Sequence, residues 1–360
     1  MRHARYLKSM AGGLPLVMVS LFAAPGMAQA QVACFDPSAT PFPVYYYGCE
    51  EAGSGTAATG QQLQSIGEGF VQQQLNLAPG GFASPTGRLR HTSHDGMRDK
   101  VSGFNTLAYD IDEGSVLGNV NYDLPGTYFG GKVRINAIVG YGWMTQDSAP
   151  PAAGVVGHKT DIDSVFYGGS YMWSQGNFYT LSMIIGVSGE ADGRGVGGVN
   201  YEYDLSGYFT NSVVGYTFQL PDTWRFDLRG ALGHYDVSTD RFRAPDNQNP
   251  GAFPNGAIIK GVSEAWSLSL TGTLFTILEV DGGGVLRPYI LGGYKRVVDE
   301  DIEIKGDFTA DFEQAQDYGR VELGMDYVQG NLTYGASTYT EFSADESTIG
   351  ARLGVSVKLQ

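Results

Sequence analysis

The end of the chain carries the feature that most restricts its fold. Residues 348–359 read TIGARLGVSVKL, so that Ile, Ala, Leu, Val, Val and Leu occupy one face of an extended strand. The opposite face holds small and polar residues, including Arg352 and Lys358. A wall with lipid on one side and a wet lumen on the other has this arrangement. The stretch therefore predicts the last strand of a membrane β-barrel, and we expect it to close the ring against the first strand.

Composition favours a single large all-β unit over two soluble domains. The 360 residues include 52 Gly and 22 Tyr, and charged residues make up 17% of the chain. Typical soluble domains have about 25% charged residues. Few charges and many aromatic residues suit a wall that faces lipid. The net charge of −15 argues against a nucleic-acid partner, since nucleic-acid binding needs a basic surface.

The N-terminus predicts export. Residues 1–30 combine Arg2, Arg5 and Lys8 with an apolar run over residues 14–24, and they end in Ala-Gln-Ala. These are the three parts of a cleaved secretory signal peptide. Beyond residue 30, no apolar run approaches the roughly 20 residues that a helical membrane span needs. We therefore expect a barrel in the outer membrane of a Gram-negative bacterium, in contact with lipid and lipopolysaccharide.

Alternating patterns predict twelve antiparallel strands over residues 101–360. The candidates cover residues 101–111, 115–123, 132–144, 161–174, 177–187, 208–220, 223–237, 261–277, 285–297, 317–328, 332–342 and 348–359. Most reach the roughly 9–11 residues that a tilted membrane strand needs. Every long connection follows an odd-numbered strand, while the connections after even-numbered strands are short and contain Gly, Pro, Asn or Asp. This sorting is typical of outer-membrane barrels and is not expected of a soluble β-sandwich.

The segment before the strands divides into three parts. Residues 31–58 predict a short exposed segment, in which Cys34 and Cys49 are expected to form a disulfide rather than a metal site. In residues 59–77, Leu63, Ile66 and Phe70 recur at helical spacing among many Gln. A helix this polar is marginal alone in water, so we expect it inside the barrel lumen; the alternative is a periplasmic extension that folds only transiently. Residues 78–100 predict a linker, followed by the barrel at 101–360.

Charged residues on the polar strand faces are expected to point into the lumen. Unpaired charges are costly there, so they should pair across strands or hold the helix. General lumen polarity without specific helix contacts is an equally open interpretation. These residues are Arg134, Arg225, Asp227, Arg229, Arg320, Glu322, Asp326, Glu341 and Arg352.

Four stretches in the second half of the chain carry a family resemblance. They read GYFTNSVVGYTFQLPDTWRF, GGGVLRPYILGGYKRV, YGRVELGMDYVQGNLTYGASTYTEF and GARLGVSVKL. Together they resemble the translocator barrel of bacterial autotransporters (type V secretion). The resemblance implies a twelve-stranded barrel with an α-helix through its lumen, which translocates and anchors its own N-terminal segment at the cell surface.

The same resemblance implies an assembly signal in the closing strand. Arg352, Gly354, Val357 and Leu359 match the family's pattern by position, although the chain ends in Leu359-Gln360 rather than in the family's usual aromatic residue. The implied partners are the barrel-assembly machinery and periplasmic chaperones. We expect a monomer without a cofactor.

Two other functions stay open. One is a porin-like or adhesin-like barrel with a periplasmic N-terminus. The other is a lipid-modifying enzyme embedded in the barrel, in which His234 would need Ser267 or Ser269 as a partner. His91 and His94 could hold a metal weakly, although a solvated pair is the simpler interpretation. We expect neither a catalytic nor a metal site.

Overall fold

The barrel is a ring of twelve long strands. The computed structural model describes residues 35–36, 44–45, 48–76, 81–100, 108–148, 158–194, 199–245, 256–280, 282–307 and 309–359. Residues 1–30, the predicted signal peptide, lie outside this part. Each long strand is antiparallel to its neighbours. The strands are β1 Gly81–His94, β2 Tyr109–Asp123, β3 Lys132–Ser148, β4 Lys159–Gln175, β5 Phe178–Arg194, β6 Asn200–Gln219, β7 Trp224–Thr239, β8 Ala257–Thr276, β9 Gly284–Gly306, β10 Asp317–Gln329, β11 Leu332–Phe342 and β12 Glu346–Leu359.

The ring closes between the last strand and the first. β12 pairs with β1 from Glu346 opposite His94 to Leu359 opposite Gly81. The predicted fold class, a closed twelve-stranded antiparallel barrel with an N-terminal helix, is therefore confirmed. The outer face of β12 exposes Ile349, Leu353 and Val357, as the alternation predicted.

Outward side chains form an apolar band with an aromatic belt at each edge. One belt holds Tyr141, Trp143, Tyr208, Trp266 and Tyr294, and the other holds Tyr122, Tyr171, Tyr216, Phe218 and Trp224. Exposed Val, Ile and Leu side chains lie between the belts. This is the outer surface that a bilayer requires.

The connections are sorted by length. The four longest, residues 95–108, 149–158, 240–256 and 307–316, all lie at one end of the barrel, called here the long-loop end. The other end is called the short-turn end. In outer-membrane barrels the long loops are extracellular and the short turns are periplasmic.

The first strand lies where the sequence predicted a linker. β1 occupies residues 81–94, and the predicted strands 101–111 and 115–123 are wrong, because β2 runs unbroken through residues 112–114. The outer face of β1 carries Gly81, Ala83, Pro85 and Gly87, so the strand lacks the apolar alternation that reveals the others. The strand total is unchanged, because one missed strand replaces one that was split.

Several strands extend well past their predicted ends. β9 has 23 residues and β6 and β8 have 20 each. Beyond the membrane band the outward residues become polar while the hydrogen-bonded ladder continues. The apolar pattern therefore marks only the part of each strand that faces lipid.

Short strands and one helix complete the described part. Phe35–Asp36 pairs with Val44–Tyr45, Phe242–Ala244 pairs with β8, and Ala310–Glu313 pairs with both β9 and Arg98–Asp99. Leu278–Val280 pairs with the start of β9. The helix α1 spans Cys49–Asn76 and has 28 residues. No helix among the described residues has both the length and the apolar character needed to cross a membrane.

The helix begins ten residues earlier than predicted. Residues 49–58 were assigned to the exposed segment because Gly and small residues dominate them and disfavour an isolated helix. Packing in the barrel overrides this weak propensity, as the buried Ala52 and Ala57 illustrate.

Candidate functional site

The helix α1 runs through the lumen from the long-loop end to the short-turn end. Near its start, the Tyr203 hydroxyl donates to the Glu51 carbonyl at 3.2 Å. Near its end, Arg134 Nη1 donates to the Gln74 carbonyl at 3.2 Å. Tyr203 lies at the long-loop end of β6, and Arg134 lies at the short-turn end of β3. With 28 residues, α1 is about 42 Å long, which exceeds the hydrocarbon thickness of a bilayer.

The long-loop end of the lumen is an apolar core. Ile302, Ile304 and Phe312 are fully buried there, beside Gly53 of the helix. The strand that carries Phe312 pairs across the mouth with Arg98–Asp99. The sequence predicted a wet lumen throughout. The alternation instead reverses above the membrane, where the outer surface faces water and the lumen side faces protein.

His158 binds the start of the helix at this apolar end. The imidazole contacts the Glu51 carboxylate, and His158 and Glu51 are both buried. Burial lowers the pKa of His158, but the hydrogen bond and the negative charge of Glu51 raise it more, so that the pKa lies above its ordinary value of 6.5. The pair contributes a charge-assisted contact between the wall and the first turn of α1.

Helix glycines face aromatic rings of the barrel wall. A Cβ at Gly60 would lie 2.4 Å from the Tyr235 ring, and a Cβ at Gly67 would lie 2.4 Å from the Phe209 ring. The sequence indicated only that Gly67 and Gly69 weaken the helix. The structure adds that glycine lets the helix approach the wall closely at these positions.

The lower half of the lumen holds a charge cluster, defined by Glu68, Lys295, Arg320, Glu322, Glu341 and Arg352. Arg320 donates to Glu68 Oε2 and to Glu322 Oε2, both at 2.8 Å. Lys295 Nζ lies 3.0 Å from Glu341 Oε1, and Arg352 also contacts Glu322. Glu68 is supplied by the helix, so the cluster links the helix to β9, β10, β11 and β12.

The remaining predicted lumen charges lie closer to the short-turn end. Arg134 Nε lies 2.6 Å from Asp123 Oδ1 and Arg287 Nη2 lies 2.7 Å from Asp326 Oδ2. Arg229 Nη1 lies 3.6 Å from Asp227 Oδ1 and donates to Gln72 Oε1 of the helix at 2.8 Å. Arg225 is exposed at the mouth, and within the described part of the chain it forms no ion pair. Specific helix contacts therefore exist for Arg134, Arg229 and Arg320.

Neutral side chains of the helix also bind the wall. Gln64 Nε2 donates to Ser267 Oγ at 3.0 Å, and Asn119 Nδ2 donates to Gln73 Oε1 at 3.0 Å. Leu63, Ile66 and Phe70, the predicted apolar stripe, are buried. The helix is thus held by polar contacts around its circumference as well as by an apolar stripe.

Sequence reasoning missed the lumen residues of β1. Arg88 donates to the Tyr339 hydroxyl at 2.7 Å and also contacts Ser65 of the helix. Arg90 lies 3.5 Å from Glu113 and 3.4 Å from Glu346. Polar residues at every second position from Ser84 to His94 did indicate a strand with a polar inner face. The small residues at the alternate positions give no apolar outer face, so the strand was missed.

Other predicted residues occupy different environments. Cys49 is fully buried and Cys34 lies outside the described residues, so their disulfide stays a prediction. Of the four assembly-signal residues, Arg352 and Gly354 point into the lumen, whereas Val357 and Leu359 are exposed outside. Their role in assembly also stays a prediction.

The structure does not bring the suggested enzyme residues together. His234 lies on the outer wall, where Nε2 is 3.0 Å from Glu264 Oε1 and the ring is tilted against Trp266. Ser267 and Ser269 point into the lumen, on the opposite face. A Ser–His pair across this wall is therefore wrong.

The two linker histidines are also separated. Both lie in β1, where His91 faces outward with Nδ1 2.8 Å from Asp112 Oδ1, and His94 faces inward and stacks on Tyr109. Residues three apart on a strand lie on opposite faces, so these two cannot share a metal ion.

Comparison with solved structures identifies the fold. The translocator domain of NalP from Neisseria meningitidis matches with a TM-score of 0.62 over 86% of this chain and 98% of its own, at 13% identity. The transport unit of AIDA-I from Escherichia coli matches at 0.60 over 86% and 99%, with 14% identity. The fold is that of an autotransporter translocator domain.

Further comparisons agree with this fold. The β domain of BrkA from Bordetella matches with a TM-score of 0.55 over 78% of this chain and 99% of its own, at 19% identity. At the level of sequence, the chain matches no family model and no curated protein. The fold that the sequence resemblance implied is confirmed.

Proposed function

We propose that this barrel translocates its own short N-terminal segment across the Gram-negative outer membrane and anchors it at the cell surface. The direction of α1 carries the proposal. The helix starts at the long-loop end, so its first residues lie on the extracellular side when the long loops have their usual orientation. A porin-like barrel with a periplasmic N-terminus would need the helix to run the other way.

The filled lumen suggests the order of events. The helix, the apolar core at the long-loop end and the charge cluster together occupy the interior. A passenger can therefore pass only before α1 settles, and α1 then stays behind as a plug. No nucleotide or cofactor is needed, because the buried contacts of the helix make the plugged state the stable one.

Export and assembly complete the proposal. Residues 1–30 would be removed as a signal peptide, and Arg352, Gly354, Val357 and Leu359 would be read by the assembly machinery, with periplasmic chaperones holding the unfolded chain. The barrel would work as a monomer in contact with lipid and lipopolysaccharide, and without enzymatic activity.

A passenger fusion tests translocation directly. In a chain with Cys34→Ser and Cys49→Ser, which leaves no native disulfide, a short unstructured sequence that carries two cysteines and an epitope is inserted after Gln31, and surface display is measured with antibody on intact cells. With both inserted cysteines replaced by serine, or with reductant present, we expect display; with the disulfide formed, a bulky loop should stall in the lumen and reduce display. Equal absence of surface epitope in all cases, with a correctly folded barrel, would contradict the proposal.

A further inference from the structure

The turn between β2 and β3 places an aromatic residue in an unfavourable backbone conformation. Phe129 has φ of +50° and Gly130 has φ of +79°. They are the two central residues of a tight hairpin, in which the Tyr128 amide donates to the Gly131 carbonyl at 2.7 Å and the Gly131 amide donates back at 3.0 Å. Such turns favour Asn, Asp and Gly, because a residue with a β-carbon is strained at positive φ.

Packing within the barrel does not explain this phenylalanine. The Phe129 side chain is 98% exposed. In the described part of the chain, the only other non-glycine residue with positive φ is Asp222, at 62°, in the turn between β6 and β7. Asp tolerates this conformation, and its charged side chain is well solvated in water. Phe gains neither advantage, and the described residues leave its ring uncovered, so the ring is available to surroundings outside them.

The hairpin lies against the outer wall of the barrel. Trp173 of β4 donates from Nε1 to the Tyr128 carbonyl at 2.8 Å. A Cβ at Gly131 would lie 2.5 Å from the Trp173 ring, so the hairpin backbone rests directly on the indole. Trp173 also meets Phe178 edge-on, with ring centroids 6.1 Å apart. These rings continue the aromatic belt at the short-turn end, where the wall passes from acyl chains to headgroups.

We propose that Phe129 is a membrane anchor, inserted into the interfacial region of the leaflet at the short-turn end. The ring contacts phospholipid, because the hairpin continues the aromatic belt, which faces lipid, rather than a surface that faces protein. Aromatic rings are favoured at this depth, and a ring at the tip of a rigid hairpin enters it at little cost in side-chain entropy. The anchor requires a barrel in a bilayer and is independent of passenger translocation.

Depth-dependent quenching tests the anchor. The full chain with Cys34→Ser and Cys49→Ser receives Phe129→Cys, is labelled with an environment-sensitive fluorophore and is folded into phosphatidylcholine liposomes. Acyl chains brominated near the headgroup are expected to quench the emission, because interfacial apolar groups lie at the boundary between headgroups and acyl chains. Iodide in the buffer should quench only weakly.

Two control positions show the quenching expected of a label in water and of a label in lipid. Asp222→Cys, at the other positive-φ turn, should be quenched by iodide and not by brominated lipid, and Leu353→Cys, on the outer wall, should be quenched by brominated lipid. If the label at position 129 behaves like the label at position 222, or is quenched by neither reagent because it lies against protein, the proposal is wrong.

A second variant separates the anchor from the turn. Phe129→Asn suits the positive φ better, so turn chemistry alone predicts a higher urea midpoint for unfolding. The anchor predicts a lower midpoint in liposomes, because the variant loses its contact with lipid. A midpoint in liposomes that equals or exceeds that of the unsubstituted chain would overturn the proposal.

Discussion

Arg320 donates from Nη1 to Glu68 Oε2 at 2.8 Å, and this contact joins the helix to the barrel wall. Within the charge cluster, the wall supplies three positive charges, from Lys295, Arg320 and Arg352. It supplies only two negative charges, from Glu322 and Glu341. The helix brings the third carboxylate. The wall of the cluster therefore carries an excess positive charge that the seated helix neutralises, which favours the plugged state.

Replacing Glu68 is expected to loosen the plug while leaving the barrel folded. Glu68→Gln removes a charge-assisted contact, and Arg320 keeps its contacts with Glu322 and Glu341, so we expect a loss of roughly 1–2 kcal/mol in helix docking. Hydrogen exchange of the helix amides should rise while the urea midpoint of the barrel changes little. Glu190→Gln makes the same charge change on the outer wall, away from the helix, and should leave exchange unaltered. Equal exchange in both variants would show that Glu68 does not hold the helix.

Two helix glycines should respond oppositely to alanine. At Gly53 a Cβ would meet Ile302 at 3.6 Å, an ordinary contact. Gly53→Ala should therefore stabilise by about 0.5–1 kcal/mol through helix propensity. At Gly60 the Tyr235 ring leaves no room, so Gly60→Ala should destabilise by about 1–3 kcal/mol. Urea unfolding of both variants checks this, and a stabilising Gly60→Ala would mean that the ring moves aside freely.

The contact between His158 and Glu51 should make stability depend on pH. The folded pKa of His158 is raised, because the hydrogen bond and charge of Glu51 outweigh burial. The contribution to stability is therefore fully present below the unfolded pKa of about 6.5 and is lost as pH rises through the folded pKa. The melting temperature should fall over this range, and His158→Gln should reduce the fall. An unchanged slope in His158→Gln would assign the pH dependence elsewhere.

Glu300 provides a second pH dependence in the extension of β9 beyond the aromatic belt. Burial raises the pKa of its carboxyl from 4.5 to about 7, although hydrogen bonds from Gln314 and Tyr235 oppose the rise. The folded chain holds this proton more tightly than the unfolded chain, so stability should fall as pH rises from about 4.5 to 7. Glu300→Gln should flatten the stability curve over that range. Asp301→Gln, at the exposed neighbouring position, should leave the curve as it is.

The sequence predicts those strands whose two faces keep the same surroundings, lipid outside and the lumen inside, along their whole length. Residues 348–359 face lipid on one side and the lumen on the other, so their alternation identified both β12 and its closure. β1 was not predicted as a strand, because its outward residues include Gly81, Ala83, Pro85 and Gly87. Such small residues produce no apolar alternation. The extension of β9 was not predicted either. Above the membrane Ile302 and Ile304 point inward, whereas in the lower part of the strand the apolar residues point outward to lipid.

The candidate site was predictable in kind but not in detail. A polar helix with Leu63, Ile66 and Phe70 on one stripe indicated a polar enclosure, and alternating strands indicated which charges would face it. The partners could not be predicted, because Glu68 and Arg320 are distant in sequence and meet only through barrel closure. The fit of Gly60 to Tyr235 depends in the same way on the depth at which the helix sits.

The most direct test of the central claim is the location of the N-terminus. An epitope placed directly after Gln31 is probed on intact and on permeabilised cells. The same epitope in the connection between β7 and β8 serves as the surface control, and one in the turn between β4 and β5 serves as the periplasmic control. We predict that the N-terminal epitope is detected on intact cells, as the direction of α1 requires. Detection only after permeabilisation, with both controls correct, would contradict the account and favour a barrel with a periplasmic N-terminus.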